Sequence, residues 1–328
     1  MSTLRTYAQL CRLPAVFTAM ADIFMGYAIG HNMGYFEGRP EGSVRVVPEL
    51  AALLGCSSCL YLAGMVLNDV FDRHVDAIER PNRPIPSGRV PVGTAVRLAL
   101  FLIAAGLICS KLAGGANGGF QPVLVALLLV VNILIYDGWA KNTFIGPVAM
   151  GSCRLLNVLL GAGLFARDLS RLFFGQAAML GFSLAVYIAG VTWFAKNEAG
   201  RSGRRGLMFG LAVCNLGLAL LGAWTFLEWR NHWSNISGSA WVFSGGTARG
   251  LAVLGVIALV INRRAISAVI DPSPSRVQLT VRTMLLSIIT IDAVMIYATL
   301  GPDSASLALG VAALLIPSFV LGKWMSMT

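Results

Sequence analysis

The sequence predicts an all-α polytopic membrane protein, a single domain across residues 1–328. Three observations carry that reading. Hydrophobic residues make up 56% of the chain and charged residues only 12%, where a soluble domain has about 25% charged. Mean hydropathy is +0.74. Apolar runs of about 17 to 23 residues recur from end to end, and a helix of that length crosses a ~30 Å hydrocarbon core.

Ten such runs follow in order, each bounded by the basic residues of its flanks. The first, 14–30, follows Arg5 and Arg12. No small-residue cleavage site succeeds it and more membrane does, so it reads as a mature helix rather than a signal peptide. Run 48–67 lies between Arg39 and Arg45 and the charged segment that opens at Asn68, and 92–112 carries Arg97 and Lys111 toward opposite ends. Run 120–137 ends before Lys141. Run 144–165 starts beyond it, holds Arg154 and stops before Arg167 and Arg171. Run 174–195 ends at Lys196, 206–227 follows Arg204 and Arg205 and ends before Arg230, and 240–262 ends before Arg263 and Arg264. Run 280–299 follows Arg276 and has Arg282 near its start, and 304–321 ends before Lys323.

Because the runs alternate sides, the loops fall into two sets. Seventeen of the 25 Lys and Arg fall on one side, seven on the other, and Arg154 alone lies deep inside a span. The positive-inside rule therefore predicts that both termini and the segment around Asn68 are cytoplasmic. The net charge of +10 reads as topology and contact with anionic lipid. It excludes a nucleic-acid module, since the basic residues are spread over separate loops.

Asn68-Asp-Val-Phe-Asp72-Arg-His-Val-Asp76 leaves the second run with carboxylates at i, i+3 and i+7. Asp69, Asp72 and Asp76 then share one face of a helix. Three carboxylates on one stripe at a membrane surface repel one another and resist desolvation, so a cation is expected between them, and Mg2+ is the usual one. The next residues, Arg80-Pro-Asn-Arg83-Pro-Ile-Pro-Ser-Gly, place two guanidinium groups in a proline-stiffened loop suited to bidentate contact with phosphate oxygens. Alone, these arginines read equally as positive-inside residues. Metal beside guanidinium is the physical solution for a diphosphate in a low-dielectric site.

Other signals are weak. Cys56 and Cys59 form a C-x-x-C inside an apolar helix, where small residues at a helix contact are the simpler reading. The glycine-rich 114–119 segment lacks the strand-then-helix context of a phosphate loop, and three histidines give neither a triad nor metal spacing. Arg154 should face a cavity and be paired, with Asp137, Asp22 and Asp292 as possible partners, and Asn157 at i+3 shares its face. Asp22 and Asp292 read as structural, and Trp193 and Phe194 as interfacial anchors.

The two linked motifs resemble the first Asp-rich block of the UbiA superfamily of intramembrane prenyltransferases. Tyr136-Asp137, Lys141, Gly151, Arg154, Asn157 and Gly161 resemble the next block. Met150-Gly-Ser-Cys-Arg-Leu-Leu-Asn157 and Leu315-Ile-Pro-Ser-Phe-Val-Leu-Gly-Lys323-Trp resemble the EboC subgroup. The resemblance implies a UbiA-like bundle of about nine to ten helices around a central cavity, in which Mg2+ bridges Asp69, Asp72 and Asp76 to the diphosphate of a polyprenyl donor. It implies diphosphate contacts from Asn68, Arg80, Arg83, Lys141, Lys196 and Arg201, and catalytic roles for Lys141, Arg154, Asn157 and Lys196. The implied partners are the polyprenyl diphosphate, membrane lipid and an unidentified small acceptor.

The family's second Asp-rich motif, expected after the sixth helix, is altered. Here the chain reads Thr192-Trp-Phe-Ala-Lys196-Asn-Glu198-Ala-Gly200-Arg201, with Trp193, Lys196 and Gly200 aligned to the expected aspartates. Either Lys196 and Arg201 neutralise diphosphate directly, or the site binds an isoprenoid lipid without ionising it, or the loop is only a topology signal. Cyclisation of the donor without an acceptor fits the same residues.

Overall fold

A computed structural model describes residues 3–32, 46–114, 119–166, 168–196, 202–234 and 245–326. Its helices are α1 (Thr3–Leu10), α2 (Val16–Asn32), α3 (Val46–Phe71), α4 (Arg73–Glu79), α5 (Val92–Gly114), α6 (Gln121–Gly138), α7 (Gly146–Ala162), α8 (Leu169–Phe174), α9 (Gln176–Ala195), α10 (Arg204–Ser234), α11 (Gly245–Ile270), α12 (Pro274–Leu300), α13 (Ala305–Ala312) and α14 (Leu315–Ser326). No strand occurs among the described residues. Nine segments are long and apolar enough to cross a membrane, the last formed by α13 and α14 together. The expected run 144–165 is α7, 17 residues long and shorter than those nine. It packs in the interior against α2, α6 and α9.

The final span is broken where the sequence reads as one run. Pro317, in the first turn of α14, has no N–H to give the carbonyl of Ala313, and the chain turns at Ala313 and Leu314 instead. Helix α12 starts at Pro274 and α11 continues to Ile270, so Arg263, Arg264 and Arg276 lie on helices rather than in the expected loop. Apolar runs underestimate helices that continue amphipathically into the interface.

Chain ends meet at one end of the bundle: Arg5 Nη2 donates to the Trp324 carbonyl at 3.0 Å, its guanidinium lies 5.8 Å from the Trp324 ring centroid, and Ser318 Oγ donates to the Pro14 carbonyl at 2.8 Å. The largest core cluster joins α2, α7, α9, α10, α11, α12 and α13, and a second joins α2, α3, α6 and α7. Helices α2 and α7 cross on glycine: a Cβ on Gly161 would stand 2.6 Å from the Ile23 carbonyl oxygen. That close approach brings the polar groups of α2 and α7 into one layer.

Candidate functional site: a charged mouth above an apolar chamber

At the end of the bundle where the termini meet, α3 gives way to α4 with Asp72 at the junction. The helical hydrogen bonding continues, Asp72 N to Asn68 O at 2.9 Å and Asp76 N to Asp72 O at 2.8 Å, so the three aspartates stay near one face. The loop after α4 is folded on itself by Arg83 N to Arg80 O and Ser87 N to Arg83 O, both 3.0 Å. It is anchored by buried Ile85 and Val90, and Gly88 takes the positive φ of 73° that closes the turn. Anchored in this way, the loop turns Arg83 inward. Its Nη1 lies 3.2 Å from Asp69 Oδ1 and 2.5 Å from Asp76 Oδ2.

Each carboxylate is met by a cation. Asp69, 3% exposed, also accepts from Arg12 Nη2 at 3.1 Å, and Asp72, the most open of the three, lies 2.6 Å from Lys141 Nζ. Lys141 is presented by a short 3-10 turn, Ala140–Asn142, that follows α6. Asn68 Nδ2 donates to Asp137 Oδ1 at 3.0 Å, so Asp137 partners Asn68 rather than Arg154.

These groups border a cavity of about 440 Å3 in which Arg12, Arg80, Arg83, Lys141 and Lys196 face Asp72, Asp76 and Glu79. Thr192, Ala195 and Lys196 form its α9 wall, which carries no carboxylate among the described residues; Glu198 lies outside them. Trp193 turns away and packs on Phe144 and Phe209, with ring centroids 5.4 and 5.1 Å apart. At this end of α9 the cavity-facing residues are therefore 192, 195 and 196, so of the described positions aligned to aspartates Lys196 faces the cavity and Trp193 does not.

Below the mouth lies a chamber of about 160 Å3, walled by Leu60, Met65, Leu129, Ile133 and Met150, with Tyr61 and Tyr136 among its lining. Mouth and chamber share Arg12, Asn68 and Tyr136. At its α2–α7 wall Arg154 donates from Nη1 to Asp22 Oδ2 at 3.0 Å and from Nη2 to Thr18 Oγ1 at 2.9 Å. Asn157 Nδ2 donates to the same Asp22 oxygen at 3.0 Å and to the Ala19 carbonyl at 2.7 Å, and Ser57 Oγ donates to Asn157 Oδ1 at 2.8 Å. Asp292 is fully buried and neighbours Asp22.

Of the residues singled out in the sequence, Asn68, Asp72, Asp76, Arg80, Arg83, Lys141 and Lys196 line the mouth, Asp69 lies behind it, and Arg154 and Asn157 line the chamber. Arg201 lies outside the described residues. Sequence reasoning missed Arg12. This is the one non-glycine residue with positive φ among the described residues, at 46°, in the turn that opens the Leu13–Ala15 3-10 segment. The signal available was Pro14 two residues on, which fixes the start of that segment. Beside Arg12, burial and the charge of Asp69 push the Cys11 thiol up to about 11.

Among the described residues no three His, Cys, Asp or Glu side chains converge as a preformed metal cage. The donors present are still those of a hard cation. Asp72 and Asp76 open on the mouth with Asn68 beside them, and Mg2+ binds through one or two carboxylates completed by water and phosphate oxygens. These residues fit Mg2+ in that partial mode.

Fold and cavity together define an all-helical intramembrane protein with a charged mouth over an apolar interior. The chain belongs to the UbiA prenyltransferase family, whose family model matches residues 39–262. A UbiA homologue from Aeropyrum pernix K1, solved in the apo state, shares the fold with a TM-score of 0.62 at 16% identity over 87% of this chain and 96% of that one. The UbiA homologue from Archaeoglobus fulgidus, solved with DMAPP and Mg2+, gives 0.57 at 15% identity over 94% and 99%. In sequence the chain is 31% identical over 161 residues to the digeranylgeranylglyceryl phosphate synthase of Sulfolobus acidocaldarius and 29% identical over 161 residues to that of Sulfurisphaera tokodaii. These matches cover 46% and 48% of this chain and 54% and 52% of those proteins. The chain thus spans about half the length of the curated relatives it matches.

Proposed function

We propose that this protein is a Mg2+-dependent intramembrane prenyltransferase that takes a polyprenyl diphosphate with its charged end in the mouth and its chain in the chamber. The observation that carries this reading is the continuity of the two spaces through Arg12, Asn68 and Tyr136, which sets an anion site directly above an apolar one. A solved homologue crystallised with DMAPP and Mg2+ supports it.

Asp72 and Asp76, which open on the mouth, are assigned as the metal ligands, and Asp69, the third ligand expected from the sequence, stands behind them on Arg12 and Arg83. Bound there, Mg2+ would neutralise charge on the departing diphosphate. Asn68, Arg80, Arg83, Lys141 and Lys196 hold the diphosphate oxygens, with Arg201 assigned from sequence alone. As the allylic C–O bond breaks, the electron pair leaves with the diphosphate, and the contacts of Lys141 and Lys196 strengthen as that charge develops. Tyr61 and Tyr136 line the chamber, and aromatic groups there would favour positive charge developing on carbon. The acceptor then forms the new bond and loses a proton. Arg154 and Asn157, tied to Asp22, act by fixing the chamber wall.

The replacement of the expected aspartates by Trp193, Lys196 and Gly200 supports a second reading, in which an isoprenoid diphosphate is bound but not ionised. Incubating the purified protein with a panel of prenyl diphosphates and Mg2+ and following diphosphate release tests the first. Tight donor binding without release for any donor or acceptor would transfer the assignment to the second.

A further inference from the structure

Two cavities of about 400 Å3 each lie on the lipid-facing side of α12, one beside Leu315 and Phe319 of α14 and the other beside Ser318 and Gly322. They meet at Arg282 and Leu286, so α14 lies over a groove with a guanidinium in its floor. Arg264, from the end of α11, borders the first cavity, and Arg154 and Tyr61, which also line the reaction chamber, border the second.

Arg282 lies eight residues past the start of α12 and Arg264 six before the end of α11, so both stand about 9 to 12 Å inside their helices. Both are exposed, and among the described residues neither guanidinium is ion-paired. Among the described residues no carboxylate lines either cavity. Around them the surface is apolar: Leu279 is 54% exposed and Phe319 51%. Both arginines therefore lie near where α11 and α12 run past their apolar runs into the interface, Arg282 beside Gly322 and the flank of α14, and basic pockets between membrane helices at such an interface take lipid head groups.

We infer that this groove binds an anionic lipid, with a phosphate head on Arg282 and Arg264 and its chain along Leu279, Leu286 and Phe319. The second cavity leads from that head toward Tyr61 and Arg154, so the same site would bring a phosphate-bearing amphiphilic acceptor to the chamber. The acceptor role, unlike the lipid site, rests on the prenyltransferase reading. A resident bilayer lipid and an acceptor share this head-group chemistry.

The test compares phosphatidylglycerol with phosphatidylcholine on the full chain in detergent, by native mass spectrometry and thermal melting. Phosphatidylglycerol should be retained and should raise the melting temperature by several degrees more than phosphatidylcholine. Arg264→Gln with Arg282→Gln should abolish the difference and leave stabilisation by Mg2+ and geranyl diphosphate intact. If the double variant does not fold, Gly322→Leu serves: a Cβ there lies 3.5 Å from Arg282 Nη2, and the larger side chain crowds the head-group position. Equal retention of the two lipids by wild type, or an unchanged preference in the variants, overturns the lipid site without touching the donor site. Adding geranylgeranyl diphosphate and Mg2+ separates the sources, since a prenyl mass gain on the bound lipid identifies an acceptor and an unmodified lipid a resident one. Loss of the donor shift in wild type would instead sink the prenyltransferase reading and leave the lipid site standing.

Discussion

Asp72 differs from its two neighbours in a way that decides which aspartate to remove. Asp69 and Asp76 are 3% and 4% exposed and held by Arg83, whereas the side chain of Asp72 is 27% exposed and touches only Lys141. Asp72→Ala should therefore leave folding intact and abolish the rise in melting temperature given by Mg2+ with geranyl diphosphate, because a ligand stabilises only through the folded state it binds. A full shift in the variant would take Asp72 out of the site. Cys11 offers a pH test. Its thiol is raised from 9.0 to about 11, so the folded state favours the protonated form. That contribution is fully present below pH 9 and is lost as pH rises through 11. Alkylation of Cys11 in the folded protein should be slow at pH 8 and accelerate toward pH 11, and rates matching a free thiol at pH 8 would contradict the burial. The aspartates were legible in the sequence because their spacing is local and helical. Arg12 was not, because its contacts with Asn68 and Asp69 span 56 and 57 positions and depend on a left-handed backbone turn that no periodicity marks.

At the scale of elements, the crossing of α2 and α7 sets the chamber wall. A larger side chain at Gly161 would strike the backbone of α2 at Ile23 and Tyr27. Gly161→Leu should cost about 3 kcal/mol or more by overpacking, read as a lower melting temperature with weakened donor binding, since Asp22, Arg154 and Asn157 would be pulled apart. Helix α9 poses the sharper question. Sequence alignment set Trp193 at an acidic position, but helical phase turns Thr192, Ala195 and Lys196 to the mouth and Trp193 to Phe144 and Phe209. Adjacent residues on a helix point ~100° apart, so of the two described positions aligned to aspartates Lys196 faces the mouth and Trp193 does not, a difference that an apolar span offers no pattern to show. If Lys196 touches the leaving diphosphate, Lys196→Ala should lower turnover by roughly tenfold or more while donor affinity falls far less. Equal losses in both would make it a simple binding residue, and no loss in either would return the loop to a topology role.

For the whole molecule, the alternation of apolar runs was legible because membrane crossing imposes length and composition on each segment separately. The breaks were harder to read: Pro317 splits the last span, and α11 and α12 run past their apolar runs to carry arginines into the interface. The charge asymmetry of the loops predicts the side on which the mouth opens, and the structure sharpens the test of that prediction by placing the loop after α4 and the start of α10 at the same end as the joined termini. Ser87 and Gly203 are exposed at that end, and Ser170 is exposed at the other. In a background lacking native cysteines, Ser87→Cys and Gly203→Cys should react with a membrane-impermeant maleimide only when the cytoplasmic face is open, and Ser170→Cys in intact cells. Both ends of the α10–α9 side of the mouth must share a compartment with the aspartates for one diphosphate to touch both. Labelling of position 203 from outside, with position 87 protected, would place Lys196 and Asp72 on opposite faces of the membrane and dismantle the proposed site.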